Sequence, residues 1–200
     1  MKYLFFDLET TSIYPNAEIL EFGYLIVDEN FKCTSMQDIF CMPLREVPAG
    51  ATAVNGLTRA KLQFLSDGAE FFQRADYIRE VMSQPDIIVC GYNSTAYDLR
   101  VLAHNLVNAG TEPVDIAKHI DLLPTIRQAK LGLKNNQLGT VYRNALHLMN
   151  ITPAASQNIF KDWCSQFQIT SNASLHGALF DSYVTAFCMF AYTINGVKFE

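Results

Sequence analysis

The chain has 200 residues, half of them apolar, which is enough to bury one full hydrophobic core without disulfides or structural metals. We therefore expect residues 1–200 to form a single domain. The net charge of −5 argues against a protein that coats nucleic acid through a global positive field, although bound cations can reverse the sign of a site locally. The five cysteines form no Cys-x-x-Cys pair, which predicts free thiols in a reducing cytoplasm rather than disulfides or a zinc site. The longest apolar run, 184–194, is too short to span a membrane.

The first predicted element is a strand with an acidic end. Residues 2–6 are strongly β-prone and lead directly into Asp7-Leu8-Glu9. Because side chains alternate along a strand, Asp7 and Glu9 project from one face, where their charges repel each other. A divalent cation between them would relieve this repulsion, since Mg²⁺ and Mn²⁺ prefer hard oxygen ligands. Two solvated acids at a strand end are the alternative, and the motif alone does not decide between the two.

The order of the elements predicts an α/β domain. Short β-branched apolar runs indicate strands, and an apolar period of about 3.6 residues with capping residues at the ends indicates helices. After the first strand we predict strands over 18–27 and 31–42, a loop over 43–56, a short helix capped by Thr58, a helix over 69–82 with Phe71 and Phe72 inward, a strand over 86–91, a helix over 95–108, a strand over 114–120, a helix over 122–130 capped by Asp121, and helices over 137–148, 157–167 and 175–192. This order predicts a mixed five-stranded sheet with helices on both faces.

The same order predicts where a site lies. The first strand and the strand over 86–91 are expected to be parallel neighbours where the strand order reverses, and ligands bind beyond the carboxyl ends of strands at such a point. The segments that leave these two ends carry Asp7-x-Glu9 and Asn93-x4-Asp98. Asp98 is therefore expected to face the first two acids.

A histidine and an acid near the end of the chain are the last candidates. His176 and Asp181 are five residues apart, which corresponds to a rotation of about 140° on a helix. Both side chains reach one site only if His176 lies at or before the start of the helix. We therefore expect Asp181 on a rigid helix and His176 at its edge.

These motifs, in this order, resemble those of the DEDDh (DnaQ-like) 3′–5′ exonucleases, in particular proofreading and single-strand DNA exonuclease domains. The matching stretches are Phe6-Asp7-Leu8-Glu9-Thr10-Thr11, Gly91-Tyr92-Asn93-x3-Tyr97-Asp98-x3-Leu102 and His176-x4-Asp181. Residues 53–58 and 120–122 are also similar to segments of the family, so the resemblance covers nearly the whole chain. Ser12 and Asn55 depart from it, because the family commonly has Gly and His at these positions.

The resemblance implies an RNase H-like fold and a two-metal-ion phosphodiester hydrolase. Asp7, Glu9, Asp98 and Asp181 would hold two divalent cations, Mg²⁺ or Mn²⁺, and His176 would accept a proton from the attacking water. The positions implied to contact the terminal nucleotide or brace its site are Leu8, Thr10, Thr11, Val54, Asn55 and Asn93. Tyr97 is expected to belong to the core instead.

The resemblance implies that the partner is the 3′ end of single-stranded or frayed nucleic acid, with DNA favoured over RNA. A polymerase or repair complex is a second implied partner. An exoribonuclease that trims RNA or short oligonucleotides is one alternative, and a non-catalytic end-binding module is another. All five acidic and histidine positions are present, which favours an enzyme. Residues 118–143 carry five cationic side chains and only one acid, Asp121. These cations form either a phosphate-binding rim or a solvated face. They are Lys118, Arg127, Lys130, Lys134 and Arg143.

Overall fold

A mixed five-stranded sheet is the centre of the computed structural model, in which residues 1–171 and 176–199 are described. The strands are β1 (Lys2–Thr10), β2 (Ile19–Asp28), β3 (Cys33–Phe40), β4 (Ile87–Gly91) and β5 (His119–Asp121). Their order in space is β3-β2-β1-β4-β5, in which β1 pairs antiparallel with β2 and parallel with β4. The predicted mixed sheet is confirmed, and so is the parallel pairing of the first and fourth strands at the reversal of strand order.

Helices cover both faces of the sheet, as predicted. They are α1 (Ala49–Asn55), α2 (Arg59–Leu65), α3 (Ala75–Met82), α4 (Asp98–Asn108), α5 (Leu122–Gln128), α6 (Leu138–Leu148), α7 (Pro153–Gln166) and α8 (Ala178–Ile194). Because side chains alternate on β1, Leu4 and Phe6 pack towards α3 and α4, whereas Phe5 packs towards α6 and α8. The last helix is buried nearly all round, which explains its continuous apolar sequence.

Two predictions for the region before β4 are wrong in part. The loop predicted over 43–56 contains α1, which ends at Gly56 in the left-handed conformation with a φ of 69°. No residue of α1 is buried, so the sequence carries no apolar period that would reveal it. The helix predicted over 69–82 is a 3₁₀ turn (Phe71–Gln73) followed by α3, and Phe72, which was expected inward, is 59% exposed.

The region after β4 also differs from the prediction. The strand expected over 114–120 is reduced to β5, because only His119 to Asp121 pairs with β4 and most of the preceding residues are exposed. Helix α4 begins at Asp98 rather than at residue 95, since the turn before it is held by Asp121, whose carboxylate accepts the N–H groups of Asn93 (2.8 Å) and Thr95 (3.0 Å). The predicted cap is confirmed, because the same carboxylate accepts the N–H of Leu123.

Two further expectations concern the cysteines and the membrane. All five cysteines are buried and free, as the sequence predicts. Within the described ranges, no helix combines the length and the apolar character needed to cross a bilayer.

Candidate active site

Four acidic side chains meet where β1 ends. Asp7 and Glu9 belong to the last part of β1, Asp98 is the first residue of α4, and Asp181 lies in the first turn of α8. Glu9, Asp98 and Asp181 are 9%, 5% and 8% exposed, and Asp7 is partly buried between them. The sequence prediction that Asp98 faces the first two acids therefore holds.

Backbone contacts fix Asp98 against β1. The backbone N–H groups of Leu8 and of Asp98 itself lower the pKa of this carboxyl group, against the larger effect of burial, so they lie close to it. Leu8 thus meets the site through its backbone, while its side chain is buried on the opposite face of the sheet. An acid in the first turn of a helix is also favoured by the helix dipole.

A glycine in β2 allows α8 to bring in Asp181. Gly23 pairs with Asp7 across the sheet, and a Cβ at this position would lie 2.1 Å from the backbone nitrogen of Leu179. Only glycine permits this approach of α8 to the sheet. The hydroxyl of Ser182 donates to the carbonyl oxygen of Gly23 at 2.9 Å, which secures the first turn of α8 directly above β2.

His176 precedes α8, as its spacing from Asp181 predicts. Its backbone is left-handed, with a φ of 67°, and its N–H donates to Oδ2 of Asp181 at 3.2 Å. A ring nitrogen of His176 and one carboxylate oxygen each of Glu9 and Asp181 lie within 4.8 Å of one another. The exposed imidazole is therefore at the open side of the acidic cluster.

Burial and mutual repulsion favour the protonated forms of all four acids. Burial, followed by the charge of Asp181, raises the pKa of Glu9 to about 8. Burial raises the pKa of Asp98 and that of Asp181 to about 7 in each case. The pKa of Asp7 is raised well above its ordinary value by burial and then by the charges of Asp98, Asp181 and Glu9.

The cluster offers the oxygen ligands that a divalent cation site needs, and in the described part of the chain its negative charges have no positive side chain to balance them. Among the described residues, no lysine or arginine forms an ion pair with any of the four acids. Oδ1 of Asp181 is buried, and it has no hydrogen-bond partner within the described residues. Carboxylate oxygens without a counter-charge fit hard cations such as Mg²⁺ and Mn²⁺.

Three residues predicted near the terminal nucleotide adjoin the cluster. The side-chain amide of Asn55 donates to the carbonyl oxygen of Thr10 at 3.5 Å, and it also lowers the pKa of Glu9 against the larger effect of burial. Val54, beside it at the end of α1, is 58% exposed. Oγ1 of Thr10 lies 2.8 Å from the carbonyl oxygen of Ser12.

Two other predicted residues are engaged elsewhere. The hydroxyl of Thr11 accepts the N–H of Glu18 at 3.0 Å and so closes the loop between β1 and β2. Asn93 has a left-handed backbone with a φ of 63°, and its N–H binds Asp121. In the described ranges, no hydrogen bond joins the Asn93 side chain to the four acids.

Sequence reasoning missed three residues around the site. Tyr97 is not a simple core residue, because its hydroxyl hydrogen-bonds to Thr10 Oγ1 at 2.6 Å and donates to the carbonyl oxygen of Ser12. Glu21 and Asp38 lie on the sheet face that carries Asp7 and Glu9. A signal for Glu21 existed, since it is the one acid inside the otherwise apolar run Leu20-Glu21-Phe22-Gly23.

The chain matches a known protein family over most of its length. The family model of the RNase_T exonucleases matches residues 4–188. The chain belongs to this exonuclease family. It is also similar to a PolC-type DNA polymerase III of Ureaplasma parvum serovar 3, with 24% identity over 178 residues, which cover 80% of this chain and 12% of that protein.

Solved exonucleases share the fold over nearly the whole chain. E. coli Exonuclease I in complex with a dT13 oligonucleotide superposes with a TM-score of 0.70 at 18% identity, and covers 98% of this chain. Exonuclease I from Methylocaldum szegediense superposes with a TM-score of 0.73 at 17% identity, again over 98% of this chain. The DnaQ-like, RNase H-like fold is confirmed. This chain spans 41% of the length of each of those two enzymes.

Proposed function

We propose that residues 1–200 act as a divalent-metal-dependent 3′–5′ exonuclease domain. Its substrate would be the 3′ end of single-stranded or frayed nucleic acid, DNA in the first instance, and its products nucleoside 5′-monophosphates. Membership of the exonuclease family supports the reaction class. The likeness to an Exonuclease I whose structure is a complex with single-stranded DNA and zinc ion supports the substrate and the need for a metal, since that chain superposes with a TM-score of 0.73.

The observation that carries this proposal is the cluster of four acids, three buried and one partly buried, beside His176. Charges buried without counter-charges cost free energy, and a structural role alone does not require four of them. The unpartnered Oδ1 of Asp181 points to a ligand for this cluster rather than to a network complete in itself. A non-catalytic end-binding module would not need a proton acceptor next to the acids.

Each residue then has a chemical task. Asp7, Glu9, Asp98 and Asp181 would hold two divalent cations, Mg²⁺ or Mn²⁺, which when bound neutralise the charge that develops on the phosphoryl oxygens. A ring nitrogen of His176 would accept the proton of the attacking water. The new bond joins the water oxygen to phosphorus, and the bond from phosphorus to the 3′ oxygen breaks. The 3′ oxygen takes a proton from solvent and becomes the new 3′ hydroxyl, and His176 releases its proton to solvent.

The terminal nucleotide would dock at the end of β1. Thr10 is held by the hydroxyl of Tyr97, and Asn55 donates to the carbonyl oxygen of Thr10, so the two residues present a fixed rim next to the acids. Val54 is the exposed apolar side chain at this rim and would pack on the terminal base. Thr11 and Asn93 would contribute through the turns that they stabilise.

A cleft near the end of β4 would guide the strand. It has a volume of about 550 Å³ and is lined by Tyr92, Asn93, Leu123, Arg127, Asn135, Asn136, Gln137 and Leu138. Arg127 and the neighbouring Lys130 and Lys134 are exposed, and none of them is in an ion pair within the described residues. Unpaired cations beside amide groups suit a phosphate backbone.

Digestion of end-labelled oligonucleotides tests the proposed function. Single-stranded DNA and RNA of matched sequence, labelled at the 5′ end, would be incubated with Mg²⁺ or Mn²⁺. We expect a ladder that shortens one nucleotide at a time, and none with Asp7→Asn. Preference for the RNA would identify an exoribonuclease, and binding of the end without cleavage of either strand would identify an end-binding module.

Two variants test the cleft. Arg127→Ala and Lys134→Ala should raise KM for a long oligonucleotide and flatten its salt dependence, because each removes one phosphate contact. Lys161→Ala, which removes an exposed cation of α7, is the matched control. An unchanged salt dependence in both cleft variants would show that these cations form an ordinary solvated face.

A further inference from the structure

A short and largely exposed turn, residues 92–97, connects β4 to α4 and carries Asp98 into the candidate active site. Within this turn only Ser94 is fully buried, and three of the other five residues are exposed. Packing therefore constrains little of the turn, and its shape depends on the hydrogen bonds that hold its backbone.

The carboxylate of Asp121, the last residue of β5, binds this turn through both of its oxygens. Oδ1 accepts the N–H of Asn93 at 2.8 Å, and Oδ2 accepts the N–H of Thr95 at 3.0 Å. Oδ1 also accepts the N–H of Leu123 at 3.1 Å, at the start of α5. Hydrogen bonds to an ionised carboxylate are roughly twice as strong as neutral ones. One side chain thus joins the turn before α4 to the first turn of α5.

His119, two residues earlier on β5, provides a second contact with the turn. Its Nε2 lies 3.0 Å from Oγ of the buried Ser94. Ser94 in turn packs on Gly91, where a Cβ would lie 2.5 Å from the serine side chain. Strand β5 pairs with β4 over its three residues, and two of these three, His119 and Asp121, also hold the turn.

The turn passes this attachment on to the first turn of α4. The carbonyl oxygen of Ser94 accepts the N–H of Leu99 at 3.0 Å, so the residue next to Asp98 is tied to the turn. The position of Asp98 therefore depends on a turn whose own backbone is held by Asp121.

We propose that Asp121 is a positioning residue that fixes the turn over 92–97 and thereby sets the carboxylate of Asp98 in place to hold a divalent cation. Three N–H groups occupy the two oxygens of Asp121, so it acts through Asp98 and not as a metal ligand itself. A residue that only caps α5 would need no more than the bond to Leu123. This inference rests on the proposed function, in which Asp98 is a metal ligand.

Two variants separate the turn contacts from the helix cap and from the charge. Asp121→Asn and Asp121→Ser both remove the negative charge, and both side chains are good N-caps, so the bond to Leu123 is retained in each. The amide oxygen of asparagine also keeps the bond to Asn93, but its NH₂ group cannot accept the N–H of Thr95. The shorter side chain of serine loses both turn contacts.

Asp28→Ser is the matched control. Oδ1 of Asp28 accepts the N–H groups of Asn30 (2.9 Å) and Lys32 (3.0 Å) in the turn between β2 and β3. Asp28 is paired with Lys2, at the opposite end of β1 from the four acids. The same substitution therefore removes a carboxylate from a second turn that is remote from the candidate active site.

The experiment measures Mn²⁺ affinity by electron paramagnetic resonance, together with hydrogen exchange of the peptide spanning 92–101 in metal-free protein. For Asp121→Ser we expect Mn²⁺ affinity to fall about 10- to 100-fold and exchange in this peptide to accelerate about tenfold or more. Asp121→Asn should lie between Asp121→Ser and wild type in both measurements, because it keeps one of the two turn contacts. Asp28→Ser should remain within about threefold of wild type in Mn²⁺ affinity.

A double-mutant cycle identifies Asp98 as the residue through which Asp121 acts. In the Asp98→Ala background, Asp121→Ser should lower Mn²⁺ affinity by less than about threefold further, because the carboxylate that it positions is already gone. Full additivity with Asp98→Ala would overturn the inference, and so would wild-type exchange in Asp121→Ser. Equal Mn²⁺ affinities of Asp121→Asn and Asp121→Ser would also overturn it, since the lost charge alone would then explain the effect.

Two further outcomes have a defined meaning. If Asp121→Ser does not fold, Asp121→Asn is compared with Asp28→Asn, and wild-type Mn²⁺ affinity and exchange in Asp121→Asn then overturn the inference. If the wild type cleaves neither DNA nor RNA, the proposed function fails, while Mn²⁺ affinity and exchange still decide whether Asp121 positions Asp98.

Discussion

Removing metal and raising the pH should destabilise this fold, because the candidate active site then fills with negative charge. The pKa values of Asp7, Glu9, Asp98 and Asp181 are all raised in the folded state, chiefly by burial. A raised pKa means that the folded state holds protons which the unfolded state has released. The resulting stabilisation is complete below the ordinary carboxyl pKa and is lost as the pH rises through the folded-state value.

Glu9 sets the scale of the effect. Its pKa rises from 4.5 to about 8, and each unit corresponds to about 1.36 kcal/mol. Between pH 5 and pH 8, Glu9 alone should therefore remove about 3–4 kcal/mol from the free energy of unfolding. The four acids repel one another, so their contributions do not add, but a loss of this size is a large part of the about 5–15 kcal/mol that stabilises a typical domain.

Urea denaturation in EDTA at constant ionic strength, from pH 5 to pH 8, measures this dependence. Urea is preferred to guanidinium because it does not screen charges. Asp7→Asn should flatten the pH dependence and be more stable than wild type at pH 8, whereas Asp162→Asn, which changes an exposed acid of α7, should behave like wild type. Millimolar Mn²⁺ should restore stability at pH 8 in wild type and much less in Asp7→Asn. A free energy of unfolding that is constant or rises between pH 5 and pH 8 in EDTA would refute this reasoning.

Three other predictions concern the reaction. His176→Ala should lower turnover about 10²–10⁴-fold. Its Mn²⁺ affinity, measured by electron paramagnetic resonance, should remain that of wild type, and a large loss of this affinity would show that His176 is a metal ligand. Asp181→Ala should lower activity and raise the Mn²⁺ concentration needed for half-maximal rate, and an unchanged metal requirement would remove Asp181 from the ligand set. Tyr97→Phe should lower the free energy of unfolding by about 1–2 kcal/mol and raise KM for the 3′ end, because one hydroxyl holds both Thr10 and the Ser12 carbonyl; Tyr77→Phe, which removes a hydroxyl pair with Tyr24 (2.7 Å), is the control for KM.

The sequence predicted the parts of the site that depend on strand order and period. Alternation on β1 placed Asp7 and Glu9 on one face, and the parallel neighbour β4 brought the turn before Asp98 to the same edge. The five-residue spacing required His176 to precede α8, which it does. These features follow from backbone geometry, which a single sequence expresses directly.

Features that depend on tertiary contacts were not predictable in the same way. Helix α1 buries no side chain, so no periodic pattern marks it. The role of Gly23 appears only when α8 is packed on β2, since a single glycine inside a strand does not say what approaches it. Glu21 stood out as an acid in an apolar run, but the neighbouring acid Asp38 is on another strand, and only the register of β2 and β3 brings the two close.

The most direct test of the central claim compares a linear and a circular single-stranded DNA of the same sequence in Mn²⁺, with wild type and Asp7→Asn in parallel. We predict that wild type shortens the 5′-labelled linear strand one nucleotide at a time and releases nucleoside 5′-monophosphates, that the circle stays intact, and that Asp7→Asn cleaves neither. Cleavage of the circle by wild type, or equal digestion of the linear strand by Asp7→Asn, would contradict it.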